Sequence, residues 1–573
     1  MKRNTLTTAV LAGLTGMAGM VSVSNAVNVN PDGLGQVLLY PFYTARGGND
    51  TAISIVNTTD RGKAVKIRVL EALNSREVLD FNIYMSEWDV WTGVITAEGD
   101  TSAKIRTSDK TCTAPNIFSP AQGLGIDANG DGTVDYGEIE FLDFQYTGLN
   151  TDYGPQGQER VMSGHLEFIE MGAFVETPLT GTRPSGEGEV PWSAKHVGGP
   201  NGEPRDCELF DELWSPGAPN NIWFSGNVVY GFETEDGGSQ PVVRGGLFGG
   251  ASIIDGESAT MFSYNATAID AFWQRSLGIH SNPSLVTPAL NSGGNRTSNV
   301  FVNGSVATHD WDDSIFAVNA TVTYETLMNE YNIEAGVAGR SEWVLTFPTK
   351  RFHADAQAPI GLNVPNFPIA PFSNTWHDPD AGGPAPLNLP CEALSFRVWD
   401  REEFEPTPET GEVIPSPPPP TPEPNVFQLC RETNVVRFTG DGTVPDETEI
   451  LKEPLRSGAF ERLSYANFDL PEGFEAGWVR FDLTNIPSGA SIATGASADV
   501  LAGTRLSPAA VGGVGGFGAG DQVEGLPVIG FWVNTFTFGD RAADDMSVTR
   551  YNYGGTFNHH GSRAISFGDT VID

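Results

Sequence analysis

Positive charge is scarce in this chain. Against 72 Asp and Glu stand 33 Lys and Arg, for a formal net charge of −39. Such a surface repels nucleic-acid phosphates and anionic lipid, which excludes nucleic acid as a partner. Cysteine is scarcer still, with four residues: Cys112, Cys207, Cys391 and Cys430. Long apolar runs are lacking after the N-terminus, so no later stretch offers the ~20 residues of a membrane-spanning helix. The G-x-S-x-G elbow, the H-E-x-x-H zinc motif and the phosphate-binding P-loop are also missing. "GVGGFG", Gly513 to Gly518, satisfies G-x-G-x-x-G in form only, without the βαβ frame that a dinucleotide needs. These absences remove the usual signatures of serine hydrolases, zinc proteases, NTPases and dehydrogenases, and the chain reads as a non-enzyme.

What is present begins with "MKRNTLTTAVLAGLTGMAGMVSVSNA". Lys2 and Arg3 precede a short apolar run, and Ser24 and Ala26 put small residues at the −3 and −1 positions of a cleavage site. This pattern predicts a signal peptide over residues 1–26. Losing Lys2 and Arg3 takes the charge from −39 to −41. The mature protein is expected to be exported, to the extracellular space, the outer cell surface or the periplasm, with no transmembrane segment. An even cysteine count in an exported chain predicts two disulfides, and three pairings are open. Cys391–Cys430 is favoured because the two bracket "EPTPETGEVIPSPPPPTPEPN", which then becomes a long loop (405–424) tied at its base. Cys112–Cys207 follows by elimination.

The dominant period of the chain is two. In "AVKIRVLEA", Val65, Ile67 and Val69 alternate with Lys66 and Arg68; in "EVLDFNIYM", Leu79, Phe81 and Ile83 alternate with Asp80 and Asn82. Such runs, parted by polar turns such as "EALNSR", predict antiparallel sheets wet on one face. "VMSGHLEFIEMGAF", "GGLFGGASII", "SEWVLTFPTKRF", "GWVRFDLTN" and "LPVIGFWVNTFTFG" extend the pattern. Helix-like stretches are few; "ATAIDAFWQRSLG" and "TYETLMNEYNI" are the best of them. The expected fold is all-β, with two immunoglobulin-like antiparallel β-sandwich domains carrying long loop insertions. The first spans 27–281, with insertions at 101–158 and 178–220; the second spans 282–573. Trp88, Trp91, Trp343, Trp478 and Trp532 are expected in cores, and Trp192 and Trp214 at the surface.

"LLYPFYTARGGNDTAISIVNTTDRGKAVKIRVLEALNSREVLDFNIYMSEWDVWTG", "SEWVLTFPTKRF", "LPVIGF" and "YNYGGTFNHHGSR" resemble stretches of a family of exported proteobacterial proteins. The resemblance implies an exported, surface-associated protein and brings no catalytic residues with it.

One segment carries metal chemistry. "GIDANGDGTVDYGEIE" matches the EF-hand loop position by position, with Asp127, Asn129, Asp131, Thr133, Asp135 and Glu138 at the ligand places and Gly132 at the sharp turn. Hard oxygen donors at this spacing suit Ca2+, with Thr133 offering its backbone carbonyl. No helices flank the loop as a sensor needs, so the ion is expected to hold an acidic insertion in shape. "TGDGTVPDETE" near Asp441 imitates the loop incompletely. "ATHDWDD" (His309, Asp310, Asp312, Asp313) and "NTWHDPDAGG" (His377, Asp378, Asp380) read as Asx-type turns with an exposed His. His559 and His560 fall on opposite faces of a strand.

Together these features point to an exported, non-enzymatic cell-surface or extracellular protein. It would be structural or adhesive, with self-assembly or surface glycans as its partners and a structural calcium. The alternatives are a secreted carbohydrate-binding protein, or a β-sandwich hydrolase with two carboxylates in a cleft.

Overall fold

The computed structural model describes residues 25–152, 154–176, 189–199, 202–235, 238–256, 258–355, 368–376, 390–405, 426–440, 454–455, 465–493, 495–514, 518–542 and 548–568. The apolar leader up to residue 24, the Pro-rich run from 406 to 425, the Asp441 turn, the His377 cluster and 515–517 of the glycine motif lie outside them.

Two seven-stranded sheets form the first sandwich. Their strands are β1 (Asn28–Val29), β2 (Val37–Thr44), β3 (Asn49–Asn57), β4 (Lys63–Glu71), β5 (Glu77–Met85), β6 (Val90–Glu98), β7 (Ser102–Thr107), β8 (Cys112–Ala114), β9 (Gly125–Ile126), β10 (Tyr136–Glu140), β11 (Ser163–Ala173), β12 (Leu247–Asp255), β13 (Thr260–Asn265) and β14 (Thr267–Asp270). Sheet I runs β1-β14-β2-β11-β4-β5-β8, and sheet II runs β13-β12-β3-β6-β7-β10-β9. The alternation read in the sequence does set the inner faces. Val65, Ile67 and Val69 of β4 meet Ile53, Trp91, Ile105 and Ile253 of sheet II in one core.

The second sandwich uses β15 (Thr326–Asn332), β16 (Arg340–Thr346), β17 (Glu392–Asp400), β18 (Val426–Leu429), β19 (Thr433–Thr439), β20 (Tyr465–Asp469), β21 (Ala476–Asp482), β22 (Ile529–Ala542), β23 (Val548–Asn558) and β24 (His560–Ser562). Sheet III is β18-β17-β21-β15-β24 and sheet IV is β20-β19-β16-β22-β23. The pairing is antiparallel throughout these sheets except for β19 and β20, which run parallel. Trp343, Phe438, Phe481 and Trp532 fill the space between III and IV. The other face of IV is covered too: Val344, Val435, Phe531 and Val533 join the core of the first sandwich, where Phe531 stacks on Tyr264 at 4.7 Å.

Both expected helices are corrected to strands. In "ATAIDAFWQRSLG", Thr267–Asp270 is β14, laddered to β2 and β1. "TYETLMNEYNI" holds β15, laddered to β21 and β24. Among the described residues the helices are short: α1 (Glu189–Ala194), α2 (Glu208–Trp214), α3 (Ser314–Thr321), α4 (Lys350–Ala354) and a single turn at Ala498–Leu501. Helix α3 begins at Asp313, whose side chain accepts the Ile315 N–H. All eight of its residues are buried, among Val37, Leu39 and Ile169 of sheet I. No helix among the described residues is long and apolar enough to cross a membrane.

Sheet I departs from the expectation of a wet face. All nine residues of β4 and all eleven of β11 are buried. The segment around α1 and α2, part of the expected 178–220 insertion, folds as a covering layer: Val190, Leu209, Phe210, Trp214 and Trp223 pack on Ala64, Tyr84 and Met171 of the sheet. Cys112–Cys207 fastens that layer to the edge strand β8. The second expected pair, Cys391–Cys430, joins the residue before β17 to the turn after β18. The 101–158 segment is likewise not all excursion, since β7, β8, β9 and β10 are sheet strands.

Lys66 and Arg68, on the outward face of β4, are therefore buried cations. Lys66 pairs with Asp80 at 2.8 Å, and Arg68 pairs with Glu77 at 2.7 Å and with Glu167. Charges removed from water persist only when paired in this way.

Candidate binding groove and the acidic loop beside it

Sheet II is the large sheet whose outer face no described residue covers with a second layer. Its strands keep the alternation of buried and partly exposed residues that sheet I loses. Strand register places the outward side chains in rungs. One rung reads Asn265, Gly250, Ser54, Thr92. The next reads Ser263, Ser252, Ala52, Val94, Arg106, Glu138. At one end the rung of Phe248, Val56 and Val90 is apolar, with Phe248 and Val90 exposed.

Small residues at the centre and larger ones at the margins make this face concave. A cavity of about 630 Å³ opens there, lined by Ser54, Thr92, Ser252, Ser263, Asn265, Phe248, Tyr136 and Arg106 among others. Glycine is required beneath it at Gly249, where a Cβ would stand 2.1 Å from the Tyr40 hydroxyl. Ser252 and Ser263 share a 2.7 Å hydroxyl contact. Arg106 is the one charged side chain among the described residues that line the groove; carboxylates stand at its rim, Asp109 accepting the Thr92 N–H and hydroxyl and Glu138 holding Arg106. In a chain with 72 acidic residues this floor of hydroxyls and small side chains stands apart.

The wall at Arg106 is built from the acidic hairpin. The Arg106 guanidinium lies 4.2 Å over the Tyr136 ring, and its Nε and Nη2 donate to Glu138 at 3.1 and 3.0 Å. Lys104 donates to the other Glu138 oxygen at 3.1 Å. Partial burial opposes ionisation of Glu138, yet the hydrogen bonds from Lys104 and Arg106 hold its carboxyl below the usual range.

Residues 127–135 connect β9 to β10. Gly130 and Gly132 take the left-handed backbone (φ 76° and 91°) that the turn demands. Asp127 accepts the N–H groups of Gly130, Asp131 and Gly132; Asn129 accepts that of Asp131; Asp131 accepts that of Thr133; and Asp135 accepts that of Ala128. Backbone donors, that of Gly132 foremost, keep Asp127 acidic. The first five ligand positions thus share one tight turn, whereas Glu138 sits on the sheet in the grip of two cations. Among the described residues no group of three or more His, Cys, Asp or Glu is drawn together closely enough to hold a metal.

A second cavity, about 710 Å³, lies over sheet I beside Glu77, Asp80, Asp211 and Trp214. Burial and the charge of Glu77 push Asp80 up to about 7. Its carboxylates are spent on structure. Glu77 and Asp80 hold Arg68 and Lys66, and Asp211 accepts the Asn116 N–H and the Gln122 amide.

The remaining candidates disperse. Asp313 caps α3, Asp310 accepts from Thr297, and His309 is buried rather than exposed, 3.5 Å from Asp521. His559 turns its ring to Trp343 while His560 is exposed, so the two part as expected. The tryptophans invert the expectation in part. Trp214 is buried and Trp192 half-buried under Arg205, whereas Trp88 and Trp478 are exposed. The groove residues Ser54, Ser252, Ser263, Phe248 and Tyr136 were not singled out in the sequence. Their signal is a strand whose outward positions are small, as in "TAISIVN", "GGASII" and "TMFSYNA". No protein-family model, curated protein or solved structure matches the chain.

Proposed function

We propose that this is an exported, non-enzymatic cell-surface or extracellular protein that adheres by binding a polyhydroxylated chain, a surface glycan, in the groove of sheet II. The observation that carries this reading is the hydroxyl-lined concavity, with carboxylates only at its rim, on an otherwise acidic molecule. Ser54, Thr92, Ser252, Ser263 and Asn265 offer donors and acceptors matched to sugar hydroxyls, and Phe248 and Tyr136 offer ring faces to pyranose C–H groups. Two disulfides suit an oxidising compartment. Affinity electrophoresis of the full chain against neutral polysaccharides tests it. Phe248→Ala and Ser252→Tyr are each expected to weaken retention about tenfold, the worth of ~1.4 kcal/mol, with unchanged melting. A protein that no neutral glycan retards, or variants that bind as wild type does, would end this reading.

Calcium belongs to the proposal as the ion that holds the 127–135 turn. The 127–135 turn carries hard oxygen donors of the kind calcium takes, but Asp127, Asn129, Asp131 and Asp135 accept backbone N–H groups and Glu138 is held by Lys104 and Arg106; these oxygens would have to converge on the ion, so the expected affinity is weak and suited to millimolar extracellular calcium. At ten times its Kd the ion would add about 1.4 kcal/mol to the folded state. Calcium titration followed by thermal melting should show this rise, and Asp131→Asn should abolish it. Equal melting in chelator and in 10-fold graded calcium for both proteins would remove the ion from the account.

A further inference from the structure

The outer face of sheet III carries an aromatic and cationic patch that nothing above uses. Three central strands supply it. Register sets Trp399 beside Trp478 and Trp478 beside Glu330 on one rung. The next rung is Arg397, Arg480, Met328 and His560. The two indoles stack at 4.0 Å and 12°, and Trp478 remains 37 % exposed. Arg397 covers the far face of Trp399 at 4.6 Å.

Arg397 and Arg480 stand directly opposite each other. Like charges in that position destabilise a ladder unless an anion answers them. One does. Glu405 takes Arg397 through both oxygens, at 2.6 and 2.5 Å, and also feels the charge of Arg480. Arg480 has no ion pair of its own among the described residues. The rung therefore already receives a carboxylate within the chain, and it keeps one cation and one indole face for another.

We propose that this face is a second binding surface, for a carboxylate-bearing polysaccharide whose sugar ring lies on Trp478 and whose carboxylate is received by Arg480. An acidic peptide fits less well. β21, which carries Trp478 and Arg480, is laddered on both sides, to β17 and to β15, so a peptide laid across it would find no partners for its own backbone. A sugar has no amides to satisfy and keeps its remaining hydroxyls in water. The site is on a different sandwich from the groove and stands or falls separately.

The test is retention of the full-length protein by polygalacturonate in affinity electrophoresis, with dextran and poly-L-glutamate alongside. Polygalacturonate is expected to retard the wild type. Trp478→Ala and Arg480→Gln should each weaken retention at least tenfold, and Phe248→Ala should leave it unchanged. Glu405→Gln, which frees Arg397, should tighten it several-fold, an effect no loss of folding can mimic. The proposal is overturned if polygalacturonate does not bind, if poly-L-glutamate binds as tightly, or if the Trp478 and Arg480 variants bind as wild type.

Discussion

Replacing Arg160 by Met is expected to cost the fold about 3–5 kcal/mol, the scale for stranding a buried partner charge. Arg160 sits in the turn before β11. Its Nε and Nη2 donate to Glu71 at 2.7 and 2.8 Å, and its Nη1 and Nη2 donate to Asp152 at 3.0 and 2.5 Å. Tyr146 lies under the guanidinium at 4.3 Å. Glu71 also accepts the N–H groups of Leu73, Asn74 and Arg76, so it fixes the shape of the β4–β5 turn. That turn is a knob seated in the second sandwich. Asn74 and Arg76 donate to Asp355 at 2.9 and 2.7 Å, Arg351 donates to the Ser75 carbonyl, and Thr433 donates to the Ala72 carbonyl. Met would keep the volume and leave the carboxyl groups of Glu71 and Asp152 buried without the cation they share.

Urea unfolding should therefore show two losses in the Arg160 variant: a lower midpoint, and a single transition split into two as the sandwiches uncouple. Adding Asp152→Asn should return part of the stability by removing one stranded charge. The comparison is Arg106→Met. There the side chain is 41 % exposed, and an exposed pair contributes under ~1 kcal/mol. Equal effects from the two arginines would show that burial of the Arg160 network is not what holds the sandwiches together.

That junction marks where sequence reading stops. "EALNSR" reads correctly as a polar turn, but polarity says nothing about whether water or a second sandwich lies beyond it. Lys66 and Arg68 fail for the same reason: the alternation of "AVKIRVLEA" identifies two faces, and a charged face is assumed wet until a covering layer from residues 189–232 and 272–322 is known. The strands themselves were legible because period two is local. "TYETLMNEYNI" reads as a helix because Tyr324, Leu327, Met328 and Tyr331 satisfy the i, i+3, i+4, i+7 spacing, whereas on the strand it is Leu327, Asn329 and Tyr331 that point inward. Tertiary pairing to β21 decided between them. Helix α3 spans only eight residues, too few for its period to register. The two disulfides were legible because four cysteines and a low-complexity loop leave little choice. The groove was not, since Ser54 and Ser252 become neighbours through a pairing of β3 with β12 that no local pattern encodes.

His280→Leu should invert its effect with pH. In the folded protein this ring is enclosed by Trp214, Trp223 and Phe232 at 4.5–5.0 Å. It is fully partnered as a neutral imidazole: Nδ1–H donates to the Val228 carbonyl at 2.9 Å, and Nε2 accepts from the Tyr84 hydroxyl at 3.1 Å. Tyr84 in turn accepts from the Trp214 indole at 2.8 Å, so the hydroxyl proton has one direction to go. Burial, with Lys66 adding to it, lowers the ring to about 3 against the opposing pull of the Val228 carbonyl. The unfolded ring titrates near 6.5. A depressed folded value means full stability above the unfolded pKa and loss as pH falls towards the folded one. That loss runs at about 1.4 kcal/mol per pH unit and reaches about 5 kcal/mol by pH 3. Leucine cannot take the proton, so the variant escapes this term. At pH 7.5 it is instead expected to be less stable than wild type by ~2 kcal/mol, because the Tyr84 hydroxyl and the Val228 carbonyl lose their partner. The two stability curves should converge below pH 6.5 and cross near pH ~5 by this arithmetic. All other titrating groups are common to both proteins and cancel in the difference. Parallel curves from pH 7.5 to 4.5 would mean that His280 titrates in the fold as it does in the unfolded chain, and the buried, aromatic-lined account of this core would have to be abandoned.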